Sequence, residues 1–256
     1  MKSYWRLFPA YLLVAFFCSD LERDNILDPK NPNSKADQIV LVELFVNDNT
    51  GYNYCETALE AIEALSEDDN YRNKILVLEY HIEKNDLADS FSLPECYDRY
   101  ASYVPVQADR GIPDAFFNGK LQRVQGASVE MVKDRYQTAL SEVSDRKSFF
   151  RCEAEKTVNG TVVTINTKII RLGVRSQKNV NISVVLVEDL GMPQQRFVVR
   201  KILPSQVMDI INPGEVRSFA FSGTLSGIRN FNNAKAIVFI QNRNEATMEI
   251  YQAAQF

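Results

Sequence analysis

The spacing of apolar residues changes once along the chain. From residue 38 to about 147, solid apolar runs alternate with stretches whose apolar positions recur three and four apart; after that only short β-type runs remain. The first run, IVLVELFV, predicts a strand over residues 39–45 that is covered on both faces. The polar loop NDNTGYNYC follows. Ala58, Leu59, Ile62 and Leu65 then share one helical face, with Asn53 as N-cap and Glu56 three residues on, as in a capping box. KILVLEYHI, residues 74–82, reads as a second buried strand, so the intervening helix is a crossover between parallel strands. Pro94 opens another helix, with Tyr97, Tyr100, Ala101 and Val104 inward. In RGIPDAFFNGKLQRVQG a short strand, 115–117, and another, 121–125, flank an Asn118-Gly119 turn. Ser128 caps a last helix, 129–145, whose buried stripe is Val132, Tyr136, Ala139, Leu140 and Val143.

Beyond Lys147 come FFRCEAEK, TVVTINTKIIRL, VNISVVLVEDL, QRFVVRKIL, EVRSFAFSGTL, AIVFIQN and TMEIYQA, broken by turns such as Asn159-Gly160, Pro213-Gly214 and Asn244-Glu245. This spacing predicts an antiparallel β-sandwich over 148–256, cored separately from an α/β unit over 38–147. The leading residues predict something else. Lys2 and Arg6 precede an apolar run, 7–17, too short to span a bilayer comfortably and suited to a signal peptide, 1–17. Cys18 ends that run as in the lipobox of bacterial lipoproteins, which makes it a lipidation candidate and the membrane a partner. Phe17 is bulkier than the residue usual before such a cysteine, so plain secretion is the alternative. Residues 18–37, rich in Asp, Asn and Pro, read as a tether.

Composition narrows the classes. With 256 residues and 45% apolar content the chain can bury a real core. Its net charge of −4 and scattered Lys and Arg argue against nucleic acid as a partner. His81 is the lone histidine, and no short His/Cys spacing suggests a metal site; no cofactor is expected.

The chemistry concentrates where the first strand passes through its polar loop into a helix, the opening unit of a thioredoxin-like βαβ layout. Redox versions carry C-x-x-C there, because a helix N-terminus stabilises the thiolate. This chain has Tyr52-Asn53-Tyr54-Cys55, so the attacking cysteine is replaced by Tyr52 and only the resolving position is kept. Cys55 reads either as a small buried core thiol or as a candidate catalytic group. Exchange needs a second thiol, which Cys96 supplies only if the helix after Pro94 packs beside the Cys55 loop. Cys152 reads as an apolar filler.

ELFV…GYNYC, LEYHIEKND and GIPDAFFNGK, followed by β-runs ending VFIQNRNEATMEIYQA, resemble the Omp-twenty-eight-related family of bacterial outer-membrane and secreted proteins. The resemblance covers about 38–256 and implies a thioredoxin-like domain followed by an all-β immunoglobulin-like sandwich. It implies that Pro113 is cis, leaving Ile112 free to pair with an extended partner. It also sets His81, with Asp86 soon after, as polar members of a site facing Tyr52, Tyr54 and Cys55. Three function classes follow. The first is an envelope-anchored, non-catalytic binding protein, an outer-membrane lipoprotein whose partner is an envelope protein or peptide. The second is a weak thiol-disulfide oxidoreductase or isomerase working through Cys55. The third is a structural or assembly component of the outer membrane.

Overall fold

The computed structural model describes residues 24–256, apart from 50, 52, 85, 86, 127–130, 193, 194, 226 and 229. In chain order the elements are β1 (Ala36–Asp37), β2 (Val40–Val46), α1 (Asn53–Glu67), β3 (Ile75–His81), α2 (Pro94–Tyr103), β4 (Asp114–Phe117), β5 (Gln122–Gln125) and α3 (Val132–Val143). All-β structure follows: β6 (Lys147–Ser148), β7 (Phe150–Asn159), β8 (Val162–Arg171), β9 (Gln177–Glu188), β10 (Val198–Ile211), β11 (Val216–Thr224), β12 (Ala234–Gln241) and β13 (Ile250–Gln255). The result is a mixed α/β fold dominated by sheet.

Strand β2 explains the layering. Val40, Val42, Leu44 and Val46 face one way and Leu41 and Phe45 the other, and all six are fully buried. On the first side, α1 and α3 cover the sheet with Ala58, Ile62, Leu65, Tyr136 and Leu140. On the second side lies α2, whose Cys96, Tyr100 and Tyr103 pack on Phe45, Leu78 and Tyr80. The Phe45 ring stacks between Tyr80 and Tyr100 at centroid distances of 4.9 and 4.5 Å.

This second core is not closed by the α/β stretch alone. Val185 and Val187 of β9, Ile237 and Phe239 of β12, and Ile250 and Ala253 of β13 belong to it. The main sheet has eight strands in the order β13-β12-β9-β10-β3-β2-β4-β5, and its two halves join through one parallel pair, Val198 with Glu79. At that seam the sheet doubles back, so β9, β12 and β13 lie over the α2 side of β2 and β3. The opposite faces of β9, β10 and β12 then pack on the three-stranded sheet β11-β8-β7 through Ile182, Val184, Val238, Ile165 and Phe221. The change of pattern at 147 therefore marks where the helices end; each stretch has a core of its own, and the two share the middle one.

Polar groups stitch the layers. Glu43, fully buried on β2, receives Arg99 Nε at 2.8 Å and Nη2 at 2.9 Å, and the Tyr103 hydroxyl donates to it. Arg99 Nη1 reaches Gln241 Oε1 at 3.0 Å, so one network joins β2, α2 and β12. Near the start of the described chain, Gln38 Nε2 donates to Ile250 O (2.8 Å), and Gln252 bonds both Ile39 N–H (2.9 Å) and Asp37 O (2.9 Å).

Two local expectations change. The inner face of α2 is Cys96, Tyr100 and Tyr103, while Tyr97 is exposed, because the helix turns Arg99 and Tyr103 toward Glu43. The last helix runs 132–143 with all five predicted stripe residues buried; Ser128 and Val129 lie outside the described residues.

Candidate functional site

Loops at the C-terminal ends of β2 and β3 bring several singled-out residues together. Asn47, just after β2, donates from Nδ2 to Ile82 O at 2.8 Å. The Asp48 N–H donates to Asp89 Oδ2 at 2.8 Å, so the loop before α1 is tied to the loop after β3. Cys55 lies in the first turn of α1, fully buried in the core under α1 and α3. Its sulfur meets the Asn47 backbone N–H, yet burial pushes the thiol up to about 11. Desolvation outweighs the helix N-terminus and the N–H, both of which favour thiolate. At pH 7 such a thiol is ionised to roughly one part in ten thousand.

His81, the last residue of β3, is buried, with Nδ1 3.0 Å from Asp89 Oδ2. Asp89 also accepts the Phe91 N–H at 2.8 Å, and the Phe91 ring meets the imidazole edge-on at 5.2 Å. Asp89 is thus the acidic partner of His81. Asp86 lies outside the described residues, as do Tyr52 and Cys18. His81 Nε2 has no hydrogen-bond partner among the described residues.

The Ile112–Pro113 bond is cis. Pro113 is buried, and Ile112 packs against the core that contains Cys55. Beneath this loop sits a set that sequence reasoning missed. Asp114 is fully buried, held by Arg123 Nη2 at 2.7 Å and Tyr100 OH at 2.6 Å. Burial raises its pKa while Arg123 and Tyr100 oppose the rise. The sequence does carry a signal for it and for Glu43: a single carboxylate inside an apolar strand, DAFF or VLVELFV, must find a buried partner. Beside Gly111, a cavity of about 260 Å³ is lined by Glu83, Lys84, Tyr97, Tyr100, Gln107 and Arg110. Tyr54 is 53% exposed.

The cysteines do not meet. Cys55, Cys96 and Cys152 are free, and Cys55 and Cys96 occupy cores on opposite faces of the sheet. Burial pushes the Cys96 and Cys152 thiols up to about 12. Among the described residues no group of three or more His, Cys, Asp or Glu is placed to hold a metal ion.

No protein-family model matches the sequence, and no curated protein matches it. Among solved structures, HBP35 of Porphyromonas gingivalis is similar with a TM-score of 0.65 at 15% identity, over 86% of this chain and 75% of that one. A domain of the outer membrane lipoprotein Omp28 from Porphyromonas gingivalis aligns with a TM-score of 0.33 at 13% identity, over 42% of this chain and 86% of that one. Beta-glucosidase 3B from Thermotoga neapolitana aligns with a TM-score of 0.28 at 17% identity, over 43% and 16%. The likeness to HBP35 is one of fold, and at 86% of the chain it extends to both sides of residue 147.

Proposed function

We propose that this chain is a non-catalytic binding protein of a bacterial cell envelope, with a thioredoxin-like part over 38–147, an immunoglobulin-like sandwich over 148–256 and an anchor at Cys18. The order β2-α1-β3-α2-β4-β5-α3 supports the first part, with β3-β2-β4-β5 as neighbours and only the β2–β3 pair parallel. Seven strands in two sheets facing a common core support the second. The anchor rests on the apolar run that Cys18 ends.

The state of Cys55 carries the non-catalytic reading. Thiol-disulfide exchange needs an accessible thiolate and a second thiol to release the mixed disulfide. Here the thiol is fully buried and pushed up to about 11, Tyr52 stands where the attacking cysteine would be, and Cys96 is across the sheet. What the loops do offer is a surface: exposed Tyr54, half-buried Ile112, and the polar cavity with Lys84, Tyr97 and Arg110. It suits an extended segment of an envelope protein or peptide.

Insulin reduction tests the reading. Wild type and Cys55→Ser should both run at background, while Tyr52→Cys restores a dithiol pair and gains turnover. Robust wild-type turnover lost in Cys55→Ser would replace it with the oxidoreductase reading.

A further inference from the structure

One end of the sandwich is made by two turns locked to each other, residues 172–176 between β8 and β9 and residues 212–215 between β10 and β11. The Gly214 N–H donates to Arg171 O at 2.9 Å, the Arg171 N–H to Glu215 O at 3.0 Å, and Ser176 Oγ to Asn212 Oδ1 at 2.9 Å. Small polar residues and glycine dominate most turns. This end instead presents Val174 at 62% exposure and Val216 at 53%, with Phe149 and Ile210 exposed beside them. The Phe149 ring lies against Gly173, and Ile210 stands opposite Lys178 in the β9–β10 ladder.

Its charge is opposite in sign to that of the chain. Residues 173–178 and 212–217 hold Arg175, Lys178 and Arg217 against Glu215, a net +2, whereas the whole chain is at −4. Glu215 is taken by Arg217, while Arg175 and Lys178 are exposed and make no ion pair with a described residue. Asp209 is an exposed acid at the edge of the patch. The start of the described chain packs here too. Leu27 lies over Gly214, its Cδ1 3.6 Å from where a Cβ would stand, and Lys35 Nζ sits 5.5 Å above the Phe149 ring. Cys18 is nine residues before Leu27, so even a fully extended link keeps it within about 30 Å of the β10–β11 turn. The β9–β10 turn is at the other end of that ladder, roughly 40 Å away along β10.

We propose that this end of the sandwich is a lipid-contact surface that rests on a bilayer containing anionic lipid. Val174, Val216 and Phe149 enter the headgroup layer, and Arg175 and Lys178 lie among its phosphates. The inference rests on the anchor at Cys18, whose short link holds this end near the bilayer. Exposed apolar side chains beside unpaired cations suit an anionic membrane surface, and such a contact adds to the hold of a lipid chain. The remaining, net acidic surface is repelled by the same lipids, which favours this orientation over the others.

Tryptophan fluorescence tests it, because the lone tryptophan, Trp5, precedes Cys18. In the chain from Cys18 onward, Val174→Trp and Met192→Trp each install a single reporter, the second at the β9–β10 turn. Each variant, with a dialkyl lipid attached chemically to the Cys18 thiol, is placed on vesicles of phosphatidylglycerol and brominated phosphatidylcholine. The bromines should quench Val174→Trp several-fold more strongly than Met192→Trp. Adding Arg175→Glu and Lys178→Glu to the first variant should remove at least half of its quenching. Melting curves confirm that every variant is folded. Equal quenching of the two reporters, stronger quenching of Met192→Trp, quenching of neither, or no effect of the charge reversal would each overturn the proposal. The attached lipid makes these outcomes independent of how the native chain is processed, and intact-mass analysis of the native protein tests the anchor by itself.

Discussion

Gly119 and Met248 approach so closely that a Cβ placed on the glycine would lie 2.0 Å from the Met248 carbonyl oxygen. The glycine also has φ +74°, where side chains are strained. It forms the tip of the β4–β5 turn, and the next residue, Lys120, donates its N–H to Thr247 O at 2.6 Å. The turn is thus clamped beneath the loop that leads into β13. Gly119→Ala should destabilise the protein by more than about 1 kcal/mol, since backbone must move to admit the methyl group. Urea unfolding gives the number, and a stability equal to wild type would show that the clamp is loose.

The buried Arg99–Glu43 pair predicts an asymmetric response. Removing the cation alone, by Arg99→Met, strands a fully buried carboxylate and should cost about 3–5 kcal/mol. Adding Glu43→Gln to that variant should recover a large part of the loss, because no buried charge remains. Denaturant midpoints of the two single variants and the double variant measure the coupling. Additive losses would mean that the pair does not act as a unit.

The shared core predicts the behaviour of a fragment. Residues 38–147 alone would leave Leu41, Leu78 and Tyr80 without the β9, β12 and β13 side chains that cover them. Such a fragment should bind a hydrophobic dye and unfold without a sharp transition. A cooperative transition in calorimetry would show that α2 covers this face adequately by itself.

Glu79 predicts a pH effect whose sign is fixed by its shift. Burial at the β3–β10 seam raises its carboxyl from 4.5 to about 8. Between those values the folded chain keeps a proton that the unfolded chain releases, so this group's contribution falls as pH rises from about 4.5 toward 8. The slope is at most about 1.4 kcal/mol per pH unit. Glu79→Gln abolishes it, so the stability of the variant relative to wild type should grow between pH 5 and pH 8. Equal differences at both pH values would show that Glu79 is ionised throughout.

Much of this fold is legible in local pattern. The both-face burial of IVLVELFV, the α3 stripe and the Asn118-Gly119 turn follow from period and turn chemistry alone. The inward face of α2 did not, because Tyr97 and Cys96 are equally plausible by spacing, and a distant carboxylate, Glu43, decides between them. His81 shows the same limit. Asp86 and Asp89 both follow His81 closely in sequence, which does not tell them apart, and it is Asp89, tied by the Asp48 N–H, that meets the imidazole. The doubled-back sheet left a trace that a two-sheet sandwich does not use. VVLV and AIVFI are solid apolar runs, like IVLV at the start of the first strand, and such runs mean cover on both faces.

The amide ties of Gln38 and Gln252 have a kinetic consequence. They join residues 212 to 215 positions apart in the chain, and the middle core needs side chains from β2 and β13 alike. Contacts of such sequence separation are entropically expensive to close, and they form late. Helix α1 can close on β2 and β3 as soon as those strands exist. On the opposite face of β2, α2 covers Phe45, but the cover is completed only when the last strand arrives, which leaves this face exposed to mispairing in a half-made chain.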